Sequence, residues 1–325
     1  MERGAIDTGA ITTVPRLALD ANALLAYAKA HVPAVRRAGR KVHSLQISQF
    51  GHGQSNPTYK LQCVDVHGKD IKGLDFVLRK KPPGKILKSA HAIEREHTVQ
   101  SALHRARTTD VPVPTMLSLC EDTSVVGTPF YLMSFVRGYV FTKPGLDHLP
   151  TPAHRRAVYD AMADTLGALH RLDPTRIGLS NFGGGKSDKS NATYSKRQLE
   201  RWAGQYALSL TQVNGDMKPE PAMVKLIEWL RFNCPLNEPD GCLVHGDYRL
   251  DNLVSFYFKF FRMGNSIDDV VFISIYLFAG FSITRRARAS GSRRQTRPRD
   301  PRGAGLGAEH RGESLRRRGV LLHAV

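Results

Sequence analysis

Short apolar runs separated by Gly, Asn, Pro and Asp make up the stretch from residue 41 to residue 79. The runs VHSLQISQF, YKLQCVDV and FVLR are divided by the string GHGQSNPT and by a glycine-rich turn. Because short apolar runs bounded by turn residues are typical of strands, this stretch predicts consecutive antiparallel β-strands.

One helix and two more strands are predicted downstream. Ser89 can cap a helix that runs to about His104, in which Ile93, Val99 and Leu103 recur at helical spacing. Beyond the VPVP string, the runs LSLC and PFYLMSFV predict two strands joined by a polar turn. Strands, a helix and further strands indicate an α+β lobe.

Beyond residue 150 the pattern changes to a helical period. In three segments, apolar residues recur every three or four positions, which predicts three helices and a mainly helical second lobe. These positions are Val158, Met162, Leu166 and Leu169, then Leu199, Trp202, Tyr206 and Leu210, and then Met223, Leu226, Ile227 and Leu230. A glycine-rich loop is predicted over residues 178–191, between the first two helices.

The positive charge of the chain is concentrated at its end. The net charge is +18, and residues 285–325 carry twelve Arg against three acidic residues, a balance of +9. This tail is rich in Arg, Gly, Ser and Pro and nearly free of aromatic residues, so we expect it to be disordered. It has no interleaved aromatics, and no specific nucleic-acid partner is expected.

The remaining composition favours a reduced, cytoplasmic type of protein. The four cysteines show neither C-x-x-C pairing nor a His at metal-ligand spacing. The amino-terminal residues contain no hydrophobic signal core, so no targeting signal is predicted. The uncharged run over residues 270–284 is shorter than the roughly 20 residues that cross a bilayer, so no membrane span is expected.

The most informative string is LVHGDYRLDNL, an apolar strand that runs into a polar motif. Its spacing H-x-D-x-x-x-x-N is that of the catalytic loop of kinase-like phosphotransferases. In that chemistry Asp247 accepts the proton of an attacking hydroxyl, and Asn252 holds a magnesium ion through its amide oxygen. His245 and Arg249 belong to the same string and are grouped with the candidate catalytic residues. A polar turn after a strand is the plain alternative.

Two further elements are candidates for binding phosphate. The turn FGHGQSNPTY offers close backbone approach and hydrogen-bond donors, although glycine-rich turns are common. Its candidate residues are Gly51, Gly53, Ser55 and Asn56. The strand FVLRKK ends where a kinase carries its phosphate-binding lysine, so Arg79 is expected there, with Lys80 as the alternative. Glu96 is the expected acidic partner, with Glu94 second.

A hinge between the lobes is predicted after the last strand of the first lobe. Met133 and Phe135 lie in the string MSFV that precedes Arg137 and Gly138. The backbone of this string is expected to contact adenine, although a methionine is more often part of a core.

Taken in order, these motifs resemble the aminoglycoside phosphotransferase superfamily, and most closely the amino-terminal kinase-like domain of acyl-CoA dehydrogenase fusion proteins. The strings that carry the resemblance are QFGHGQSNPTY, VLRKKPPG, REH, VPVP, GTPFYLM and VHGDYRLDN. The resemblance implies a two-lobed protein-kinase-like fold, ATP and Mg²⁺, and transfer of the γ-phosphate to a small-molecule hydroxyl, with hydroxylated acyl groups as implied substrates. It also allows a peroxisomal or mitochondrial location.

The chain departs from the family after the catalytic motif. The family places a second metal-binding aspartate on a following strand, about fifteen residues after the Asn, and that strand is not recognisable in SFYFKFFRMGNSIDDVVF. Asp268 lies near the expected distance and is the candidate second metal ligand. The Arg-rich tail stands where further helices are expected, so we expect an incomplete second lobe with exposed apolar surface.

The leading interpretation is an ATP-dependent kinase of a small hydroxylated molecule, and the alternative is a pseudokinase that binds nucleotide or a partner without turnover. The predicted organisation is an amino-terminal extension with a helix (1–40), a strand-rich nucleotide-binding lobe (41–137), a helical catalytic lobe (138–254), an atypical apolar segment (255–284) and the Arg-rich tail (285–325).

Overall fold

The computed structural model describes residues 5–7, 12–16, 18–50, 56–83, 93–106, 110–180, 182, 193–212, 217–235, 241–259, 269–274 and 281–283. Strands β1 to β12 are Ala5–Asp7, Thr12–Thr13, Ser44–Phe50, Thr58–Val64, Asp70–Lys80, Met116–Cys120, Phe130–Ser134, Tyr139–Phe141, Leu243–His245, Val254–Lys259, Asp269–Ser274 and Phe281–Ile283. Helices α1 to α6 are Ala21–His31, Pro33–Ala38, Ile93–Ala106, Pro152–Arg171, Tyr194–Gln212 and Pro221–Phe232.

The first lobe is an antiparallel sheet in the order β2-β3-β4-β5-β7-β6. Successive side chains on a strand point to opposite faces of a sheet, and in β5 this alternation places apolar side chains on both faces. Phe76 and Leu78 pack into the core on one face, while Val77 packs into a separate cluster with Tyr131 on the other. The sheet is therefore buried on both sides.

Helices α1 and α2 cover the first face. The side chain of Asp20 accepts hydrogen bonds from the backbone amides of Asn22 and Ala23, both at 2.9 Å, and so caps the start of α1. Pro33 occupies the first turn of α2, where a missing amide proton costs nothing. The core beneath these helices contains Leu24, Leu25, Ala28, Val35, Leu45, Tyr59, Leu61, Phe76, Leu78, Phe130 and Leu132.

Helix α3 covers the second face and also contacts the second lobe. Its first residue, Ile93, packs against Val77 and Tyr131 of the sheet. Its later residues Val99 and Leu103 belong to the core of the second lobe. The helix therefore links the sheet to the catalytic motif.

The core of the second lobe is built on α4 and the segment around the catalytic motif. Its buried members are Val99, Ala102, Leu103, Val111, Phe141, Leu146, Val158, Ala168, Leu169, Leu179, Leu243, Leu250 and Leu253. Because Leu243, Leu250 and Leu253 flank the polar motif on both sides, the motif is held by buried neighbours while Asp247 stays exposed.

Helices α5 and α6 pack on each other and leave an apolar surface uncovered. Arg231 of α6 forms two hydrogen bonds with Glu200 of α5, at 2.9 and 2.8 Å. Trp202 and Trp229 are 63% and 60% exposed. The exposed apolar surface predicted for the second lobe is present on these two helices.

A hairpin of β10 and β11 follows the catalytic motif. The strands pair antiparallel from Val254 opposite Ser274 to Lys259 opposite Asp269. The strand that was not recognisable in the sequence after the motif is β11, which pairs with β10 across a polar, glycine-containing connection. Strand β12 then pairs with β9, with Phe281 opposite His245.

The α+β fold expected from the sequence is confirmed. Strands β3, β4 and β5 form within residues 41–80, and β6 and β7 form at the two later apolar runs. Helices α4, α5 and α6 match the three periodic segments, while the expected capping residue of α3, Ser89, lies outside the described residues. None of the described helices is long and apolar enough to cross a membrane.

Candidate active site

The H-x-D-x-x-x-x-N string forms a tight polar turn at the end of β9. Asp247 lies exposed in the turn, and a short 3-10 helix, Leu250–Asn252, brings the chain back beside it. The amide nitrogen of Asn252 donates to the backbone carbonyl of Asp247 at 2.8 Å and to its carboxylate at 2.9 Å. An accessible carboxylate and a neighbouring amide group therefore share one site.

His245 supports this turn from its buried side. Its side chain is buried, and its Nδ1 accepts a hydrogen bond from the backbone amide of Asp247 at 3.1 Å. Burial lowers the pKa of His245 to about 4, although the charge of Asp247 opposes that shift. At neutral pH the imidazole is uncharged and serves as a hydrogen-bond acceptor that orients Asp247.

Two neighbouring side chains fix the rest of the motif. The Tyr248 hydroxyl donates to the backbone carbonyl of Met162 in α4 at 2.7 Å, which ties the motif to the helical core. Arg249 is exposed and forms a two-pronged pair with Asp251. Asp251 is the main cause that raises the pKa of Arg249, and Asp247 contributes less. Arg249 therefore lies at the site with its guanidinium directed to Asp251.

A buried ion pair links the sheet to α3. The Nε of Arg79 lies 2.8 Å from the carboxylate of Glu96, and both side chains are about as buried as the core. Burial alone lowers the pKa of Arg79, but Glu96 and Tyr131 together more than offset it, so the pKa is raised and the guanidinium stays charged. The two residues expected to pair do so, whereas Lys80 donates to the carbonyl of Val126 at 2.6 Å and Lys81 contacts Glu94.

Of the four candidate residues of the glycine-rich turn, Gly51, Gly53 and Ser55 lie outside the described residues. Asn56 is described, and its side chain is buried. Its amide nitrogen donates to Glu96 at 3.1 Å, and its backbone carbonyl accepts from Arg79 at 3.1 Å. The residue that ends the turn is therefore bound to the ion pair.

The predicted hinge lies at the end of β7. Met133 is buried beside Val77, on the sheet face that α3 covers. Phe135 packs at the margin of the same cluster, with the ammonium of Lys60 at 4.7 Å and the guanidinium of Arg137 at 5.9 Å from its ring centroid. Both cations lie within the usual range for contact with an aromatic face.

The described residues supply an incomplete set of ligands for Mg²⁺. Because the amide nitrogen of Asn252 is bound to Asp247, its amide oxygen is the atom that could face a cation. Asp268 lies outside the described residues, and its described neighbour Asp269 is at the end of β11 that pairs with Lys259, away from the motif. Ser274 occupies the other end of β11, opposite Val254 and closer in the chain pairing to Asn252.

Among the described residues, the end of the hairpin nearest Asn252 is formed by Val254 and Ser274, neither of which carries a carboxylate. Residues 275–280, which connect β11 to β12, have the sequence IYLFAG. Within the described part of the chain, no three His, Cys, Asp or Glu side chains cluster in a way that could hold a metal. The family's pattern holds magnesium with the Asn and a second aspartate. The described residues supply Asn252 without that aspartate, so they do not fit a complete magnesium site.

Three residues of the site were not anticipated from the sequence. The hydroxyl of Tyr131 donates to Glu96 at 3.0 Å, and Thr58 accepts from Arg79 at 2.9 Å. Both strands that carry them pair directly with Arg79, which lies opposite Thr58 on one side and Tyr131 on the other. These contacts follow from the strand register, that is, from which residues of neighbouring strands lie opposite each other. A single apolar run does not specify that register. Lys60, beside the hinge, was the third.

Comparison with known proteins identifies related sequences over most of the described core. The model of the phosphotransferase enzyme family (APH) matches residues 46–256. A protein of Arabidopsis thaliana named as an acyl-CoA dehydrogenase, IBR3, is 44% identical over 212 residues, which are 64% of this chain and 24% of that protein. Human acyl-CoA dehydrogenase family member 11 is 37% identical over 294 residues, 86% of this chain and 34% of that protein.

A solved structure supports the same relationship. A protein of Ralstonia eutropha that has been assigned to the aminoglycoside phosphotransferases is 35% identical, with a TM-score of 0.57 over 82% of this chain and 67% of that one. The chain spans only part of the length of the two curated relatives: 24% of the Arabidopsis protein and 34% of the human one.

Proposed function

Because the chain belongs to the phosphotransferase enzyme family, we propose that it binds ATP between its sheet and its catalytic motif and transfers the γ-phosphate to a hydroxyl of a small molecule. The observation that carries the proposal is the contact of Asn252 with the exposed carboxylate of Asp247, at 2.9 Å. The carboxylate of Asp247 is an accessible base, and its orientation is fixed by the side-chain amide of Asn252 and, on the buried side, by His245.

The proposed reaction is a direct displacement. Asp247 accepts the proton of the acceptor hydroxyl, the hydroxyl oxygen forms a bond to the γ-phosphorus, and the bond to the β-phosphate bridging oxygen breaks to release ADP. A magnesium ion, which Asn252 would hold, would neutralise charge on the phosphates in this chemistry. The steps assigned to this chain are those of Asp247 as base and of Asn252 and His245 as the groups that orient it.

The acceptor is proposed to be a hydroxylated acyl compound. The curated relatives are longer proteins named as acyl-CoA dehydrogenases, and the matching region covers 24% of one and 34% of another. A phosphotransferase region joined to such an enzyme would act most simply on molecules of the same class.

A second candidate function is nucleotide binding without transfer. It is favoured by the hairpin register, which puts Ser274 and not an acid opposite Val254, at the end near Asn252. Loss of a metal-binding carboxylate removes charge neutralisation from the transition state more than from the bound nucleotide. A chain with the remaining ligands would then retain ATP while transferring phosphate slowly or not at all.

Transfer of label from γ-³²P-ATP separates the two candidates. Hydroxyacyl-CoA compounds, hydroxy fatty acids and aminoglycosides serve as acceptors for the full chain, its Asp247→Asn variant and a matched control. The control is Asp160→Asn, which alters an exposed aspartate paired with Arg156 on α4. Loss of a general base is expected to lower the rate by about 10²–10⁴-fold in Asp247→Asn and to leave the control unchanged. Nucleotide binding without labelled product for any acceptor would support the second candidate.

A further inference from the structure

The guanidinium of Arg79 is bound by protein groups through most of its donors. Its Nε donates to Glu96 at 2.8 Å and its Nη2 donates to the other carboxylate oxygen of Glu96 at 3.4 Å. Its Nη1 donates to the backbone carbonyl of Asn56 at 3.1 Å and to the hydroxyl of Thr58 at 2.9 Å. Four of the five N–H donors that an arginine carries are therefore directed at these groups, and the side chain is 3% exposed.

The groups that Arg79 contacts belong to different parts of the first lobe. Asn56 ends the glycine-rich turn, Thr58 begins β4, and Glu96 lies on α3. Glu96 also accepts from the amide of Asn56 at 3.1 Å and from the hydroxyl of Tyr131 at 3.0 Å. Arg79 and Glu96 are thus the centre of a buried network that ties the turn to the helix.

We propose that Arg79 is a positioning residue that fixes the glycine-rich turn against α3, and that it does not bind the phosphates of the nucleotide. The proposal deepens the function proposed above and rests on it for the identity of the ligand. It differs from the role expected from the sequence, in which Arg79 contacts the α- and β-phosphates. To reach a phosphate, the guanidinium would have to give up its contacts with Asn56 or Glu96 in a buried site.

The shape of arginine matches this task better than the shape of lysine. A guanidinium presents donors in a planar fork and can bind a carboxylate on one side and a carbonyl and a hydroxyl on the other. A lysine ammonium is a compact point charge and cannot span the same groups. If Arg79 acted as a phosphate-binding cation, a lysine in its place would preserve the function.

Binding of adenosine, ADP and ATP distinguishes the two roles. The variants are Arg79→Lys, Thr58→Val and Tyr131→Phe. Thr58→Val removes the hydrogen bonds of the Thr58 hydroxyl with Arg79 and with the backbone carbonyl of Asn56. Tyr131→Phe removes the hydrogen bond to Glu96, and both of these variants keep the buried ion pair. Tyr59→Phe is the control, because Tyr59 is buried in the cluster on the opposite face of the sheet. If Arg79 positions the turn, all three variants weaken ADP and ATP more than adenosine, by about fivefold for each ordinary hydrogen bond lost, and the control binds as the unmodified chain does.

Thr58→Val and Tyr131→Phe variants that bind ADP and ATP as the control does would overturn the proposal, as would a fully functional Arg79→Lys. Amide hydrogen exchange of nucleotide-free protein supplies an arm that does not depend on ligand. Exchange in α3 is expected to be faster in Thr58→Val and Tyr131→Phe than in Tyr59→Phe. If the unmodified chain bound no nucleotide, the proposed function would fail while this arm still tested the positioning role, and equal exchange in all variants would refute that role.

Discussion

The amide nitrogen of Asn252 lies 2.8 Å from the backbone carbonyl and 2.9 Å from the carboxylate of Asp247, so one side chain closes the catalytic turn. The turn is held from the buried side by His245 and by leucines that flank the motif. The carboxylate therefore remains accessible while its backbone is fixed. Each element of the account predicts a measurable result.

Replacing Glu96 by Gln should destabilise the protein strongly. The substitution keeps the shape but removes the charge, which leaves Arg79 buried without its carboxylate, at a cost of about 3–5 kcal/mol in the free energy of unfolding. The control is Glu94→Gln, because Glu94 pairs with Lys81 and its side chain is 30% exposed, so the change should be within about 1 kcal/mol. Urea unfolding measures both, and equal losses would contradict the assigned burial.

The buried His245 should make stability depend on pH. Its folded pKa of about 4 lies below its ordinary value of 6.5, so the unfolded chain takes up the proton first as the pH falls. The contribution of His245 to stability is therefore complete above about pH 6.5 and is lost as the pH falls from that value to about 4. Between pH 7 and pH 5 the contribution of this residue is about 2 kcal/mol.

Comparison with His245→Asn isolates that contribution, because burial also lowers the pKa of His97 and His148. Urea unfolding of both proteins at pH 7 and pH 5 should show a smaller pH-dependent loss in the variant. An identical loss in the two proteins would mean that His245 takes up its proton as readily in the folded protein as in the unfolded chain.

Gly138 should not tolerate a side chain. A Cβ at this position would lie 2.5 Å from Cγ1 of Val254 and 2.8 Å from the carbonyl of Ser255, where β8 crosses the hairpin. Gly138→Ala is expected to cost about 1–3 kcal/mol by overpacking. Gly204→Ala is the matched control, since Gly204 lies in α5 with nothing within 4 Å, and alanine there should stabilise by up to about 1 kcal/mol. Thermal unfolding should shift in opposite directions.

The sequence predicted the first lobe well because its information is local. Apolar runs bounded by Gly, Pro and Asn determined β3 to β7, since each strand buries its own residues in the same sheet. The pairing of Arg79 with Glu96 was predicted from the order of the motifs, whereas the contacts with Thr58 and Tyr131 arise from strand register. Register depends on residues distant in the chain, and one apolar run does not specify it.

The segment after the catalytic motif was harder to predict for a physical reason. The strand from Asp269 to Ser274, which pairs with Val254 to Lys259, contains the unbroken apolar run VVFI with no polar residue between its members. Such runs fit strands, buried helices and atypical segments equally well. Periodicity likewise predicted α5 and α6 but did not show that Trp202 and Trp229 would be exposed, because a pattern does not specify what covers a face.

The two tryptophans of the chain report directly on this exposed surface. Trp202 and Trp229 are both more than half exposed, at 63% and 60%. Native fluorescence should therefore be quenched by acrylamide nearly as efficiently as that of the urea-unfolded protein, and its emission maximum should change little on unfolding. A blue-shifted, quencher-protected native emission would show that α5 and α6 are covered in solution.

The most direct test of the central claim is the thermal midpoint of the full chain with and without ATP and Mg²⁺. A ligand that binds only the folded state raises the midpoint, and at 100 times its Kd the stabilisation of about 2.7 kcal/mol corresponds to a rise of about 5–10 °C. The account predicts such a rise for ATP and for ADP. A midpoint unchanged by either nucleotide at millimolar concentration would contradict a nucleotide site between the sheet and the Asp247 turn.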